Sequence, residues 1–218
     1  MTIKNLGLDN SILNQFMAEL RDVNIQNDRM RFRRNIERIG EIIAYEISKT
    51  LNYQTIDIKT PLGFQPVSVP CDSIVLATVL RAGLPFHQGF LSYFDKAENA
   101  FISASRKYSE DHSSFTIELG YLSSPSIDGK TLIIIDPMLA TGSSLDLSYQ
   151  ILSKRGNPVR IHVACAIASQ YGIEVATKIF PKEKSTIWAG AIDPELNDKS
   201  YIVPGLGDAG DLAYGEKI

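Results

Sequence analysis

Three features of the chain predict an α/β fold, a mostly parallel central sheet flanked by helices. Unbroken apolar runs rich in β-branched residues, Ile74 to Leu80 and Leu132 to Ile135, have the pattern of strands buried on both faces. These runs alternate with segments of helical period, which implies right-handed βαβ crossovers. Both runs also end in chemistry. Arg81-Ala82-Gly83 follows the first and Asp136 the second, at the carboxyl ends where open α/β sheets hold their ligands.

The N-terminal region reads as helical. Phe32, Ile36, Ile39, Ile43 and Ile47 recur at three- and four-residue spacing and mark one buried face. Arg29, Arg31, Arg33, Arg34 and Arg38 surround them, with Glu37 the one acid in that span. A solvated face with pairs such as Arg33–Glu37, each worth a few tenths of a kcal/mol, is one reading; an anion or nucleotide site is the other. A short strand precedes Thr60-Pro61-Leu62-Gly63, and the buried strand Ile74 to Leu80 follows. After it, the small Ala82 and Gly83 let backbone N–H groups approach an anion closely, whereas a lone arginine in that place could equally be a surface ion pair.

A helix near Phe86 to Phe94 and a strand at Ala100 to Ala104 lead to Arg106. Lys107 to Ser114 is expected to be a mobile loop suited to a lid, with His112 a solvated residue in it. Thr116 to Tyr121 reads as a further strand of an edge hairpin. Beyond the central stretch come a buried strand from Arg160 to Ala168, a short helix around Ile173 to Phe180, and a strand from Ser185 to Ala189 leading to Ile192-Asp193. In the tail, Tyr201 to Gly215, Pro204 and four glycines argue against any regular element, with Tyr201, Ile202 and Val203 as anchors.

The central stretch, Thr131 to Leu145, combines a buried strand, a carboxylate at its end, and the small, hydroxyl-rich segment Leu139-Ala140-Thr141-Gly142-Ser143-Ser144. A helix with Leu147, Ile151 and Leu152 as apolar positions begins there, Gly156 being a plausible stop and Pro158 lying just beyond. Converging N–H groups and the helix dipole make such a loop a phosphate cradle, although the same small residues suit an ordinary tight turn. No GK[ST] ending and no GxGxxG is present.

Composition bounds the function. With 218 residues, 44% hydrophobic and 22% charged, the chain has the make-up of one folded domain. A net charge of −3 gives no general attraction to nucleic acid or anionic membrane. No apolar run approaches a membrane span, and MTIKNLGLDN has no signal-peptide core, so the cytoplasm is the expected location. Cys71 and Cys165 are too few for a disulfide framework or zinc site, and Cys165 reads as a buried small hydrophobe.

The order apolar run, aspartate, Ala-Thr-Gly and hydroxyl residues resembles the 5-phosphoribosyl 1-diphosphate (PRPP) loop of type I phosphoribosyltransferases. With proline after the aspartate, Asp136-Pro137-Met138-Leu139-Ala140-Thr141-Gly142 resembles the uracil phosphoribosyltransferase family specifically. Tyr201-Ile202-Val203-Pro204-Gly205-Leu206-Gly207-Asp208-Ala209-Gly210-Asp211 is similar to that family's uracil-binding signature. The resemblance implies the type I phosphoribosyltransferase fold in a single domain, residues 1–218, with N-terminal helices over 1–50 and a C-terminal uracil-binding hood over 185–218. It implies a cytoplasmic pyrimidine-salvage enzyme that converts uracil and PRPP to UMP and diphosphate. It also implies Mg²⁺ as cofactor, a homodimer or higher homo-oligomer, no nucleic acid or membrane partner, and GTP activation in some members.

Carried over residue by residue, the resemblance assigns PRPP to Arg81, Ala82, Gly83, Arg106, Asp136, Pro137, Met138, Leu139, Ala140, Thr141, Gly142, Ser143, Ser144 and Asp208. Uracil goes to the main chain of Ile202, Gly207, Asp208 and Ala209, and Mg²⁺ to Asp208 through water. Asp136, Arg106 and Asp208 carry the catalytic roles. The chain departs from the family pattern in three places. Arg106 is followed by Lys107-Tyr108, with the first acid at Glu110. Ser143 stands where a second glycine is usual, with its hydroxyl placed to cap the helix. Leu212-Ala213-Tyr214 replaces a more polar pair and a phenylalanine. Three rivals remain: a catalytically weak homologue that senses PRPP or nucleotide, an RNA-binding pyrimidine regulator, and a phosphoribosyltransferase for another base.

Overall fold

The computed structural model describes the backbone of residues 1–108 and 115–216 and the side chains of 1–103 and 120–216. The N-terminal half comprises β1 (Thr2–Asn5), α1 (Ile12–Arg21), α2 (Arg29–Ser48), β2 (Tyr53–Thr60), β3 (Gly63–Pro70), β4 (Ile74–Leu80), α3 (Gly83–Leu91), β5 (Glu98–Tyr108) and β6 (Phe115–Ser123). The C-terminal half adds β7 (Thr131–Ile135), β8 (Met138–Leu139), α4 (Ser143–Leu152), β9 (Arg160–Ser169) and α5 (Gln170–Ile179). It ends with β10 (Ser185–Asp193), β11 (Glu195–Leu196), β12 (Ile202–Val203) and α6 (Ala209–Tyr214).

The main sheet has the order β1-β10-β9-β7-β4-β5-β6, with β8 alongside β9. Every ladder in it is parallel except β5–β6. Because side chains alternate along a strand, the apolar run of β7 feeds two cores. Ile133 and Ile135 face α1, α2, α3 and the hood, whereas Leu132 and Ile134 face α4 and α5. On the first face Phe32, Ile36, Ile39, Ile43 and Ile47 of α2 are all buried, as their spacing predicts. On the second, the helix after the Asp136 loop buries Leu145 and Leu152; Leu147 and Ile151 are only half-buried. That helix ends in a 3₁₀ turn, Ser153–Arg155, before Gly156.

Several expectations are corrected. The N-terminal region is not helical throughout: β1 pairs in parallel with β10 as an edge strand. Its Thr-Ile-Lys-Asn sequence is mostly exposed and carries no apolar period, so only its distant partner makes it a strand. The short strand before Thr60 is one eight-residue arm of an antiparallel hairpin, β2–β3, that stands outside the main sheet. β5 does not stop at Ala104; it runs on through Arg106, held by pairing with β6. The tail does contain regular elements. Asp208 caps α6 by accepting from the Gly210 and Asp211 N–H groups, which offsets the poor helix propensity of Gly210. Only Ile202 of the three tail anchors is buried; Tyr201 and Val203 are more than a third exposed.

The arginines of α2 also behave differently from a solvated face. Arg34, not Arg33, pairs with Glu37, at 2.7 Å, and with Glu41. Arg31 holds the buried Glu19 of α1 at 2.7 Å. Arg31, Gln15 and Asn35 together keep the Glu19 carboxyl well below its ordinary range, at about 2, against the opposing effect of burial. Arg33 reaches the tail, donating to the Ala213 carbonyl at 2.7 Å and lying over the Tyr214 ring.

Phe32 is 1% exposed where α2 meets the sheet. Phe32→Ala should cost about 3–5 kcal/mol. At about 2–4 °C per kcal/mol, calorimetry should find a melting midpoint lower by roughly 6–20 °C.

Candidate active site

The crossovers run one way from β4 to β5 and the other way from β7 to β9 and β10, so the topology reverses between the paired strands β4 and β7. Open parallel sheets form their ligand crevice at such a reversal. Thr78 of β4 lies opposite Ile135 of β7, which sets Arg81 and Asp136 just past the ends of strands about 4.8 Å apart.

The loop after β7 is fixed by its backbone. The Asp136 N–H donates to the Ala164 carbonyl, and the Pro137 carbonyl accepts from Ala166 and Ile167. Ser169 donates from its hydroxyl to the Ala140 carbonyl at 2.6 Å, turning that carbonyl away from the front of the loop. Gly142 then enters the left-handed region at φ 80°, and a Cβ there would also press on Val175 at 2.9 Å. Thr141 Oγ1 accepts from the Ser143 N–H, the first of α4, at 3.4 Å. Ser143 does not cap this helix: α4 has no side-chain cap hydrogen bond, and the Ser143 hydroxyl lies 3.0 Å from that of Thr141 instead. The residue sits at the first helical position, one place too late to cap.

The loop after β4 has the same property. α3 begins at Gly83 behind Ala82, again with no side-chain cap hydrogen bond. By contrast α1, α2, α5 and α6 are capped by Ser11, Asp28, Ser169 and Asp208. The two helices without caps are therefore those that open at the crevice. Arg81 sits at its rim, donating from Nη2 to Asp211 at 2.9 Å and to the Gly215 carbonyl at 3.2 Å. Its Nε is buried and has no partner among the described residues.

Asp136 is half-buried, and burial pushes its carboxyl up to about 6; the Met138 N–H that it accepts at 3.2 Å offsets this only partly. Burial also raises the neighbouring Cys165 thiol, which packs inside β9 as the expected small hydrophobe. On the hood, Asp208 Oδ1 is committed to the cap of α6, and Asp211 is committed to Arg81. Ile202 and Ala209 are buried, and no hydrogen bond takes up the Ala209 N–H among the described residues. A cleft of about 310 Å³ opens beside the hood, lined by Gln26, Asn27, Arg29, Gly207, Asp208, Asp211, Leu212 and Glu216.

The structure thus gathers Arg81 to Gly83, Asp136 to Ser144 and the tail's Asp208 and Asp211 about one end of the sheet. Arg106 lies on β5, which flanks β4, but its side chain is outside the described residues, as are His112 and the rest of 109–114. Sequence reasoning missed Arg21 and Asp193. They pair at 2.7 Å and hold Gly205 at the start of the hood. Nothing in their local sequence signals this, because α1 and β10 meet only in the fold.

The model of the family described as "Uracil phosphoribosyltransferase" matches residues 7–216. A uracil phosphoribosyltransferase of Porphyromonas gingivalis is 58% identical over 218 residues, covering 100% of both chains. The solved structure of the AQ2163 protein from Aquifex aeolicus superposes with a TM-score of 0.86 at 28% identity, again covering 100% of both chains. A hypoxanthine phosphoribosyltransferase from Staphylococcus aureus shares the fold alone: TM-score 0.52 and 16% identity, covering 86% of this chain and 83% of that one.

Because the folded pKa of Asp136, about 6, lies above its ordinary 3.8, the folded protein binds this proton more tightly than the unfolded chain. The group's stabilising contribution is full at pH values below 3.8 and is lost as pH rises through 6. Asp136→Asn lacks that loss. Thermal melts without added PRPP should find its advantage over wild type growing between about pH 4 and 7 and level above that; a gap that stays constant or shrinks from pH 4 to 7 would count against a buried, uncompensated carboxylate.

Proposed function

The chain belongs to the uracil phosphoribosyltransferase family, whose members are pentosyltransferases, and on that premise we propose how its residues convert uracil and PRPP to UMP and diphosphate. The observation that carries the reading is the pair of uncapped helix N-termini at the β4–β7 reversal, one behind Asp136 and one behind Arg81. Each turns the positive end of a helix dipole toward an anion, and PRPP brings anions at both ends. In α4 the Ser143 N–H is accepted by Thr141 Oγ1 at 3.4 Å, which leaves those of Ser144 and Leu145 for a phosphate; in α3 the Leu84 N–H goes to the Arg81 carbonyl and Pro85 has none, which leaves that of Gly83.

In the reaction uracil N1 gives up its proton and bonds to C1′ of PRPP while the bond from C1′ to diphosphate breaks, the proton ending on the diphosphate product or in water. Positive charge gathers on the ribose ring and negative charge on the leaving group, so the protein's work is positioning and electrostatics. The N–H groups at the start of α4, with the Thr141, Ser143 and Ser144 hydroxyls, take the 5′-phosphate. Asp136 accepts from the ribose hydroxyls. Arg81 turns from Asp211 toward the diphosphate, where its unpartnered Nε and its Nη2 present a planar fork. Arg106 joins it from β5.

Mg²⁺ suits these donors. The ion keeps several waters and is held by one or two carboxylates together with substrate phosphates rather than by a protein cage. Asp208 has one oxygen, Oδ2, outside the capping bonds, and the described residues hold no group of three His, Cys, Asp or Glu side chains placed for a metal. Bound there, the ion supplies positive charge that steadies the departing diphosphate.

The hood reads uracil through main-chain groups of Ile202 and Gly207 to Ala209. Uracil's acceptor–donor–acceptor edge is matched by peptide groups without any side chain. The arginines near residues 29–38 favour this reading over an RNA-binding regulator. Arg31, Arg33, Arg34 and Arg38 are all engaged within the protein, and the net charge is −3. We place the enzyme in cytoplasmic pyrimidine salvage as a homo-oligomer. The β2–β3 hairpin supports the last point, since Ile56, Ile58 and Val67 share one exposed face and an isolated hairpin is marginal in water.

Purified protein with PRPP, Mg²⁺ and each nucleobase in turn should form nucleotide with uracil and much less with cytosine or purines. Asp136→Asn should weaken PRPP binding or turnover at least about tenfold, roughly 1.4 kcal/mol. Full activity with unchanged PRPP affinity would remove Asp136 from the site.

Base reading has its own test. Ala209 is the first residue of α6, where proline is tolerated, and Asp208 before it is already extended at φ −88°, ψ 107°. Ala209→Pro therefore deletes one N–H with little change of fold. Leaving a polar edge of uracil unpaired costs about 1–3 kcal/mol, so KM for uracil should rise roughly tenfold and preference over cytosine should fall. Ile202→Val should alter selectivity little. Wild-type preference in Ala209→Pro would mean that the hood backbone does not read the base.

A further inference from the structure

We propose that Arg21 and Asp193 form a clamp that positions the base-reading backbone of the hood, so that this ion pair tunes affinity for the nucleobase without touching it. The proposal rests on the uracil reading of the hood given above.

The geometry is specific. Arg21, in the last turn of α1, and Asp193, the last residue of β10, meet in a fork: Nη1 to Oδ2 and Nη2 to Oδ1, both at 2.7 Å. Both partners also grip the same residue. The Gly205 N–H donates to Asp193 Oδ2 at 2.8 Å, and the Gly205 carbonyl accepts from Arg21 Nη1 at 3.0 Å. One side-chain pair therefore fixes both peptide groups of a single residue, its N–H and its C=O. Gly205 can sit there only as glycine: its φ is 60°, and a Cβ would collide with the Ile202 carbonyl.

Position along the chain gives the clamp its consequence. Gly207 to Ala209, the groups assigned to base reading, begin two residues beyond Gly205, with only the buried Leu206 between. Gly207 has φ 92° and packs loosely, a Cβ there meeting nothing nearer than Leu212 at 3.7 Å. The register of the reading groups is thus set from two sides, by the clamp at Gly205 and by the Asp208 cap of α6. Burial opposes the charge on Asp193. Arg21 and the Gly205 N–H outweigh it and hold the carboxyl below its ordinary value. The Asp193 side chain is 7% exposed and that of Arg21 26%, so water competes poorly for these bonds.

A positioning role differs from a merely stabilising one in what it moves. Arg21→Lys keeps the charge but loses the planar fork, so it cannot hold Asp193 through two nitrogens while also donating to Gly205. Asp193→Asn keeps the shape and removes the charge. Both should raise KM for uracil about tenfold, while KM for PRPP stays within about twofold and kcat falls less than KM rises. Thermal melting of the same samples identifies any variant that has simply unfolded, and the conservative pair makes that outcome rare. Equal shifts in both KM values, or wild-type kinetics in both variants, would overturn the clamp. A wild-type protein that forms nucleotide with no base at all would overturn the uracil reading as well, a pattern distinct from an active wild type with indifferent variants. If another base proves to be the substrate, the same KM split measured with that base decides the clamp.

Discussion

The β4–β7 ladder is the constraint on which the site depends. Two parallel strands, paired from Ile74 and Thr131 to Thr78 and Ile135, end side by side, and their connections leave in opposite directions. That reversal opens a crevice no covering helix can fill. It also brings two helix starts to the same edge. Each begins with small residues, Ala82-Gly83 and Gly142, and neither N-cap residue supplies a side-chain cap, the Thr141 hydroxyl alone reaching the Ser143 N–H at 3.4 Å. Elsewhere the chain caps its helices with Ser or Asp, so the lack of caps is local to the crevice. A helix whose N-cap residue has no side-chain acceptor gives up about 1 kcal/mol of capping stability. An anion restores it, which makes binding and folding speak to the same groups.

Asp136 shows the complementary cost. A carboxylate at the end of a fully apolar strand is raised to about 6 by burial, and one backbone N–H is its hydrogen-bond partner. Other acids of this chain are treated differently: Glu19 meets Arg31, Gln15 and Asn35, and Asp193 meets Arg21 and Gly205. Asp136 has no such company among the described residues, so burial of its charged form is left largely uncompensated.

The arginines divide the labour differently from their appearance in sequence. Five lie between residues 29 and 38, which reads as a basic patch. In the folded chain Arg31 ties α2 to α1, Arg33 ties α2 to the tail, and Arg34 pairs along its own helix. Arg21, outside that cluster, holds Gly205 through Asp193. Together with Arg81 and Asp211 these contacts suspend the glycine-rich tail over the crevice from the N-terminal helices and from β4. The hood is thus held by charge-assisted hydrogen bonds as well as by burial of Ile202, Leu206, Ala209 and Ala213 in the core.

What the sequence determined by itself were the features that local physics controls. Apolar runs without alternation fixed β4, β7 and β9 as buried strands, and the period of Phe32 to Ile47 fixed the buried face of α2. Asp136 and Arg81 were placed correctly at strand ends, and Gly142 and Gly156 at turns, because both signals lie within a few residues. Tertiary structure decided the rest. β1 is a strand only because β10 lies beside it, and β5 passes Arg106 only because β6 pairs with it. The tail's glycines suggested irregular chain, yet Asp208 caps a helix there and a remote ion pair seats Gly205. A hydrogen bond between groups far apart in sequence leaves no period and no spacing to read. Its partners are brought together by burial of the cores, and only then does their chemistry choose the local backbone.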